Sequence, residues 1–229
     1  MKETNNREKI QEKLNEVFDE EVIEFTDAAL QRLGKLLAYY RCAMMEIETK
    51  LNVLNEEFSL RYDRNPINSI KTRLKSVKSM RDKLLRKGCS LSVESIEEHL
   101  SDVAGVRVIC SFPDDVYMLA EALLKQDDIT LVKAKDYIND PKPNGYRSLH
   151  LIVTVPIFLA HEKKLMKVEI QLRTIAMDSW ASLEHQLRYK KDYRFDERMA
   201  GELLRCAELS AELDARMDAL REALQTDNI

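Results

Sequence analysis

The chain has 229 residues, of which 36 are Lys or Arg and 40 are Asp or Glu, and its formal net charge is −4. This balance excludes nucleic-acid binding through an overall basic excess, so any anion site must be a local patch. The chain contains 45% hydrophobic residues and only five glycines and five prolines. Such a composition is typical of a folded, helix-rich protein rather than a disordered one.

The four cysteines, Cys42, Cys89, Cys110 and Cys206, stand singly along the chain. Because there is no CxxC pair, zinc-ligand spacing is absent, and scattered thiols are typical of a reducing compartment. The N-terminus carries no apolar signal-peptide core, and no apolar run is long enough to span a membrane. We therefore expect a cytoplasmic protein that does not associate with membranes.

Apolar residues at alternating steps of three and four predict a long helix near each end of the chain. Over residues 28–60 this stripe consists of Leu30, Leu33, Leu37, Tyr40, Met44, Ile47, Leu51, Leu54 and Phe58. Over residues 197–224 it consists of Met199, Leu203, Cys206, Ser210, Leu213, Met217, Leu220 and Leu224. We expect each stripe to pack on the body of the protein and also to pair, either with the other stripe or with another subunit.

The chain between these helices alternates between strand and helix patterns. Strands are predicted over residues 66–74, 104–112, 129–137, 147–155 and 165–173. Helices are predicted over residues 76–86, 93–100, 113–125 and 174–189, with Gly88 as a stop, Pro113 at a start and Thr174 as an N-cap. We therefore predict an α+β fold with a mixed sheet of roughly five strands flanked by helices. The expected regions are an N-terminal helical part (1–60), a central domain (61–192) and a C-terminal helix (193–229).

A local excess of basic residues begins in the first predicted strand. Residues 71–87 contain eight Lys or Arg and a single acid, although the whole chain is acidic. Arg73 and Lys75 alternate on one face of the strand, and Lys83 lies on the next helix. Cations that converge in this way suit a polyphosphate, since Arg offers a planar fork and Lys a mobile charge. A solvated helix face and non-catalytic RNA binding are the alternatives for this cluster.

Two acidic residues accompany these cations. Asp102 lies just before the predicted strand that carries Arg107, and Glu169 shares one strand face with Lys167 and Gln171. Phosphoryl transfer needs Mg²⁺ held by carboxylates and a group that orients or deprotonates the attacking hydroxyl. Asp102 and Glu169 could supply these roles. The alternative for Asp102 is an ordinary turn residue, and the alternative for Glu169 is an ordinary ion pair with Lys167 or Arg173.

A basic loop with the sequence KDYINDPKPNGYRSLH joins the third and fourth predicted strands. Lys135 and Lys142 lie in this loop, and a turn begins at Asn144. Tyr146 follows the turn and could stack on a nucleobase, while His150 shares its face four residues later. Either ring alone would more often be structural, but together with the lysines they favour a binding site.

Five sequence blocks resemble, in order and spacing, the synthetase domain of the RelA/SpoT superfamily, and more narrowly a small alarmone synthetase. They cover residues 70–84, 101–112, 135–150, 168–174 and 180–190. The resemblance implies a nucleotidyltransferase-like fold and a homotetramer built through the terminal helices. One departure lies at Arg188, where relatives often carry Asn, and the role of this position stays open.

The resemblance also implies a reaction, in which the β,γ-pyrophosphate of ATP moves to the 3′-hydroxyl of GDP or GTP. The products are AMP and the stringent-response alarmones ppGpp or pppGpp. It further implies that the ATP phosphates are held by Arg73, Lys75, Lys83 and Arg107. Asp102 would bind Mg²⁺, and Glu169 would activate the hydroxyl while helping to hold the metal. The implied GDP or GTP site consists of Lys135, Lys142, Asn144, Tyr146 (on guanine), His150 and Gln171.

Other functions remain open on the sequence alone. The same transfer could act on an adenine nucleotide or on the 3′ end of tRNA, as in toxic relatives. A non-catalytic binder of nucleotides or single-stranded RNA would use the basic cluster alone, and a scaffold would use only the terminal helices.

Overall fold

The computed structural model describes residues 20–62, 65–189 and 196–226. Five strands form one sheet in the order β1-β2-β5-β4-β3. They are β1 (Ile67–Leu74), β2 (Ala104–Cys110), β3 (Thr130–Asp136), β4 (Leu149–Phe158) and β5 (Lys163–Thr174). The described helices are α1 (Glu20–Tyr62), α2 (Val77–Arg86), α3 (Val93–His99), α4 (Pro113–Leu124), α5 (Ile175–Tyr189) and α6 (Glu197–Thr226). Among the described residues, no helix is both long and apolar enough to cross a membrane.

The β2–β5 pair is parallel and the other three strand pairs are antiparallel. The predicted α+β fold, with a mixed five-stranded sheet and long helices near both ends, is therefore confirmed. Parts of all three predicted regions, residues 1–19, 63–64, 190–195 and 227–229, lie outside the described residues. The division into three functional regions stays a prediction.

The helix ends form where short side-chain signals predicted them. Ser76 begins α2, since its hydroxyl accepts a hydrogen bond from the Ser79 amide at 3.2 Å. Gly88, with a φ of 69°, follows the end of α2 in a conformation that favours glycine. Thr174 begins α5, where its Oγ1 accepts from the Met177 amide at 3.1 Å. The predicted N-cap at Thr174 and the predicted stop at Gly88 are confirmed, whereas Ser76, predicted as the first residue of its helix, is the N-cap of that helix.

The hairpin of β4 and β5 is longer than the sequence predicted. It closes at Leu159, whose amide donates to the Glu162 carbonyl at 2.8 Å, so both strands continue to this turn. At its other end, β4 begins at Leu149 and not at the predicted residue 147. Tyr146 therefore precedes the strand, because the turn that contains Gly145 keeps this segment out of regular strand geometry.

Helix α1 covers the apolar face of the sheet. Tyr40 is 2% exposed, and Ile47 and Leu51 are fully buried in one cluster with inward-facing strand residues such as Val106 and Ile170. The alternating strand pattern gives this face its apolar residues. The prediction that the first stripe packs on the body of the protein is confirmed for its central part.

The stripe of α6 has a different environment. Helix α6 packs chiefly against α5, and the stripe residues Met199, Leu213, Met217 and Leu224 are between 39% and 67% exposed. Pairing of the two stripes within one chain is therefore wrong. The reason is that the central part of the α1 stripe is buried against the sheet, so this part of the stripe is not available to α6.

Candidate active site

Five polar or charged residues form one row across the sheet, because the strand register brings them side by side. Lys71 of β1 lies opposite Arg107 of β2, which lies opposite Gln171 of β5. Gln171 lies opposite His150 of β4, and His150 lies opposite Lys135 of β3. Directly opposed residues point to the same face of a sheet. Four of the predicted site residues, on four strands, therefore share one surface.

A second row runs beside the first and contains a glycine. Arg73 lies opposite Gly105, and Gly105 lies opposite Glu169. Because Gly105 has no side chain, the surface between Arg73 and Glu169 is open. A pocket of about 550 Å³ lies here. Six predicted site residues line it: Arg73, Lys75, Asp102, Arg107, Glu169 and Gln171.

Asp102 lies between two lysines at the edge of this pocket. Its Oδ2 accepts from Lys75 Nζ at 3.0 Å and from Lys83 Nζ at 2.8 Å. Burial raises the pKa of the Asp102 carboxyl, but the two ammonium groups outweigh burial, so its pKa lies below the ordinary value. Asp102 is therefore a carboxylate at neutral pH. Within the described residues, its buried Oδ1 has no hydrogen-bond partner.

Glu169 lies between the pocket and the neighbouring strand β4. Its Oε1 lies 3.6 Å from His150 Nδ1, and its Oε2 accepts from Gln171 Nε2 at 3.1 Å. Burial raises the pKa of Glu169, but His150 and then Gln171 oppose burial, and the pKa lies below the ordinary value. The ionised carboxylate can therefore accept a hydrogen bond from a hydroxyl group placed beside it.

Three rings form a cluster next to Glu169, which we call the ring cluster (Tyr137, Tyr146 and His150). The Tyr146 hydroxyl lies 2.8 Å from His150 Nε2. The Tyr137 ring meets the His150 ring edge-on, with the centroids 5.3 Å apart. Lys142 Nζ lies 4.6 Å from the Tyr137 centroid and 4.7 Å from that of Tyr146. Aromatic faces beside a mobile cation can stack on a base and attract phosphate.

Arg173 links the ring cluster to the sheet. Its Nη2 donates to the Tyr146 hydroxyl at 2.5 Å and to Gln171 Oε1 at 3.0 Å. Its guanidinium also lies 5.0 Å from the centroid of the Tyr146 ring. Arg173 is only 4% exposed, so it is a fixed support for Tyr146.

Asp178, in the first turn of α5, is the shared counterion of three cations. Its Oδ1 lies 3.2 Å from Arg173 Nη1 and 3.3 Å from Arg107 Nη1, and its Oδ2 lies 3.6 Å from Lys71 Nζ. Burial, and after it the Arg173 cation, lower the pKa of Arg107, whereas Asp178 raises it. The cations therefore outnumber the anions around Arg107, which favours an anionic ligand there.

Sequence reasoning did not assign four residues of this site: Lys71, Tyr137, Arg173 and Asp178. A signal existed for Arg173, which alternates with Glu169 and Gln171 along one strand face. No comparable signal existed for Asp178, because an acid in the first turn of a helix is already explained by the helix dipole.

Two predicted acceptor residues lie at the margin of the site. Lys135 is exposed on the edge strand β3, beside His150 in the register. Asn144 shapes the turn, since its Oδ1 accepts from the Tyr146 amide at 3.3 Å and its Nδ2 donates to Glu184 at 3.4 Å. Glu184 also pairs with Arg188, the residue of open role, at 2.5 Å.

Comparisons with known proteins agree with this geometry. A model of a region found in RelA / SpoT proteins matches residues 72–194. The GTP pyrophosphokinase YwaC of Bacillus subtilis (strain 168) is 45% identical over 174 residues, which cover 76% of this chain and 83% of that protein.

Two solved structures from the same organism share the fold. Small alarmone synthetase 1 bound to its product pppGpp matches with a TM-score of 0.77 and 36% identity, over 85% of this chain and 99% of that chain. The same synthetase bound to AMPCPP matches with a TM-score of 0.69 and 32% identity, over 85% and 99%. The motifs, the sheet and these comparisons agree, and the chain belongs to the RelA/SpoT family.

Proposed function

We propose that this chain is a GTP pyrophosphokinase, which transfers the β,γ-pyrophosphate of ATP to the 3′-hydroxyl of GDP or GTP. The products are AMP and ppGpp or pppGpp, and we expect the enzyme to serve stringent-response signalling in the cytoplasm. The observation that carries the proposal is the position of Glu169. This carboxylate lines the cation-rich pocket and also lies 3.6 Å from His150 of the ring cluster, so it separates a phosphate site from a base site.

The pocket is the proposed donor site. The ATP phosphates bind to the cations that line it, Arg73, Lys75 and Arg107. Lys83, which pairs with Asp102 beside the pocket, adds positive charge for the same phosphates. In the empty site, Asp102 and Asp178 act as internal counterions for these cations. Phosphates that enter would replace the carboxylates as partners of the cations. Catalysis of this kind depends mainly on positioning and on charge neutralisation.

The donor set also fits a divalent metal ion. Asp102 and Glu169 line the same pocket, and Asp102 Oδ1 is buried without a hydrogen-bond partner among the described residues. Hard cations such as Mg²⁺ prefer carboxylate oxygens and leave room for substrate phosphates. We therefore infer that Asp102 holds Mg²⁺ with help from Glu169. When bound, the ion would neutralise charge on the phosphates.

The ring cluster is the proposed acceptor site. Guanine stacks on Tyr146, whose hydroxyl accepts a hydrogen bond from Arg173, and Lys142 attracts the 5′-phosphates. Gln171, His150 and the exposed Lys135 border the ribose and phosphates. Asn144 contributes by shaping the turn that presents Tyr146.

The acceptor then reacts beside Glu169. The 3′-hydroxyl donates a hydrogen bond to the carboxylate, and its oxygen attacks the β-phosphorus of ATP. The proton passes to Glu169 as the new oxygen–phosphorus bond forms. The bond between the β-phosphorus and the α,β-bridging oxygen breaks, and AMP leaves. A carboxylate of low pKa is a weak base, so Glu169 orients the hydroxyl and takes up its proton late, as the new bond forms in a loose transition state.

We further propose a homotetramer in which the exposed stripe of α6 meets other subunits. An open apolar groove of about 780 Å³ lies between α5 and α6 and is bordered by Trp180, Leu209 and Met217. An exposed apolar groove that is continuous along two helices is typical of a protein–protein contact. Light scattering of the purified chain tests the subunit number.

The function is tested with a turnover assay. The purified chain is incubated with Mg²⁺ and γ-labelled ATP, together with GDP, GTP, no further nucleotide, or bulk tRNA. We expect label in ppGpp and pppGpp and equimolar AMP. Label on tRNA or on an adenine nucleotide instead would keep the chemistry but overturn the proposed acceptor.

The matched variants are Glu169→Gln and Glu162→Gln. Loss of the carboxylate at residue 169 should lower kcat by about 10²–10⁴-fold, the usual contribution of a positioned base. Glu162 lies in the hairpin turn before the same strand and accepts a hydrogen bond from Tyr39, far from the pocket, so Glu162→Gln should stay active. Equal activity of both variants would contradict the role of Glu169.

A further inference from the structure

Two buried residues anchor the inner face of α6. Ala207 is 4% exposed and Asp214 is 7% exposed, whereas most other described residues of α6 are exposed. Seven residues correspond to about two helical turns, so both side chains point the same way. Alanine is an ordinary packing residue, but a buried carboxylate needs partners that offset its lost hydration. The partners of Asp214 therefore indicate what α6 holds in place.

Ala207 packs against the turn that precedes Tyr146. This turn contains Gly145, whose φ of 86° lies in the region that favours glycine. A Cβ added at Gly145 would lie 2.5 Å from the Cβ of Ala207 and 3.2 Å from Cδ1 of Leu204. The turn and α6 thus touch without room for a methyl group. A displacement of α6 would move the turn.

Asp214 joins two segments of the domain that are separate in the sequence. Its Oδ2 accepts a hydrogen bond from Thr174 Oγ1 at 2.8 Å and lies 3.6 Å from Arg147 Nη1. Burial raises the pKa of Asp214, and the Thr174 hydroxyl and the Arg147 cation partly oppose this rise. The contact is therefore polar and specific, and it is not simply the apolar packing of a helix.

Both partners of Asp214 are chain neighbours of the proposed guanine site. Arg147 follows Tyr146, Thr174 follows Arg173, and the Arg173 side chain donates to the Tyr146 hydroxyl. We infer that Asp214 is a positioning residue for the acceptor nucleotide, which joins the Arg147 and Thr174 segments and so fixes Tyr146 relative to Arg173. The inference rests on the proposed function. It makes α6 part of the acceptor site, although the described side chains of this helix line neither the donor pocket nor the ring cluster.

The test is steady-state kinetics of Asp214→Asn in the full chain, with ATP and GDP varied separately. The loss of a charge-assisted contact should raise the KM for GDP about ten-fold. The KM for ATP should not change, because the donor pocket lies on the other side of Glu169. The control is Glu212→Gln, which removes an exposed carboxylate of the same helix whose ion pair among the described residues is with Arg216, one turn away. Both KM values of the control should equal those of the wild type.

A second pair of variants tests the same contact by changing Arg147, the partner of Asp214 in the segment after Tyr146. Arg147→Gln should raise the KM for GDP as Asp214→Asn does, and Arg147→Lys should restore part of the loss because it keeps the cation. The double variant Arg147→Gln/Asp214→Asn should be no worse than the poorer single variant, since both remove one interaction. These loop variants remain informative if Asp214→Asn does not fold.

The outcomes separate the inference from the proposed function. If the wild-type chain makes no labelled alarmone, the proposed function fails. If the wild type is active and the KM for GDP is unchanged in Asp214→Asn and Arg147→Gln, the inference alone is overturned. A parallel rise of both KM values would also overturn it, because a general loss of structure affects both substrates.

Discussion

Replacement of Asp178 by Asn tests the central electrostatic feature of the site. Asp178 is the counterion of Lys71, Arg107 and Arg173, at distances between 3.2 and 3.6 Å. The amide has nearly the shape of the carboxylate but no charge. Asp178→Asn therefore leaves the packing of α5 intact and exposes the mutual repulsion of the three cations.

The loss of folding stability in Asp178→Asn depends on how exposed each of the three cations is to solvent. The side chain of Arg173 is 5% exposed, that of Arg107 is 34% exposed and that of Lys71 is 61% exposed. Lys71 and Arg107 can turn towards solvent, so only Arg173 loses a buried counterion. Breaking one such pair costs about 3 kcal/mol, the lower end of the range for buried pairs. A loss of this size lowers the Tm by roughly 6–12 °C in a chain of this length.

The assay is thermal unfolding with and without inorganic tripolyphosphate or a nonhydrolysable ATP analogue. We expect a lower Tm for Asp178→Asn and a larger gain of Tm with the polyphosphate than the wild type shows. The reason is that the anion supplies the charge that the variant lacks. The control is Asp82→Asn, which removes an exposed carboxylate paired with Arg81 and should change little.

Two results would refute this reasoning. A Tm of Asp178→Asn that falls no further than that of Asp82→Asn would mean that the cations do not need their counterion. A smaller gain with polyphosphate than in the wild type would mean that Asp178 does not compete with phosphate for Lys71 and Arg107.

Two further predictions concern Gly105, which leaves the pocket open, and His150, which lies beside Glu169. Gly105→Val should leave the Tm unchanged or higher, because Val suits a strand and a Cβ there meets only the Arg73 carbonyl, at 3.4 Å. It should lower kcat/KM for ATP by about 100-fold, since the side chain fills the gap beside Glu169; normal turnover would contradict the proposed donor pocket. His150→Gln should move the acid limb of the pH profile of kcat/KM to higher pH, because its loss raises the pKa of Glu169, which must be ionised to act. A limb that stays in place or moves to lower pH would show that His150 does not control Glu169.

The fold was predictable because its signals are local. Ser76, Gly88 and Thr174 mark helix ends through contacts within a few residues, and the strands follow from side-chain alternation. The end of β4 was less predictable, because it depends on where the hairpin closes. The partner of the α6 stripe was not predictable, since the heptad spacing is the same whichever surface the helix faces.

Half of the predicted site residues lie on strands, where spacing in the sequence fixes the face, and these come together through the register of the sheet. Arg107, Glu169 and Gln171 illustrate this, since the register aligns them once β2 and β5 pair. Asp178 and Asp214 lie on helices, and each acts on residues distant in the sequence. Their roles depend on how helices dock, which no local pattern encodes.

The placement of the acids explains why a chain of net charge −4 can hold so many cations at one site. Asp102 neutralises Lys75 and Lys83 at one edge of the pocket, and Asp178 neutralises Arg107 at the other. Each carboxylate reduces the mutual repulsion of the cations in the empty site, so the cations can lie close together when no ligand is bound. In the proposed donor site, phosphates that bind would displace the same carboxylates as partners of the cations, which would weaken binding of any single phosphate. A ligand with several linked phosphates can replace both partners at once, and this favours a nucleoside triphosphate over monophosphates in the pocket.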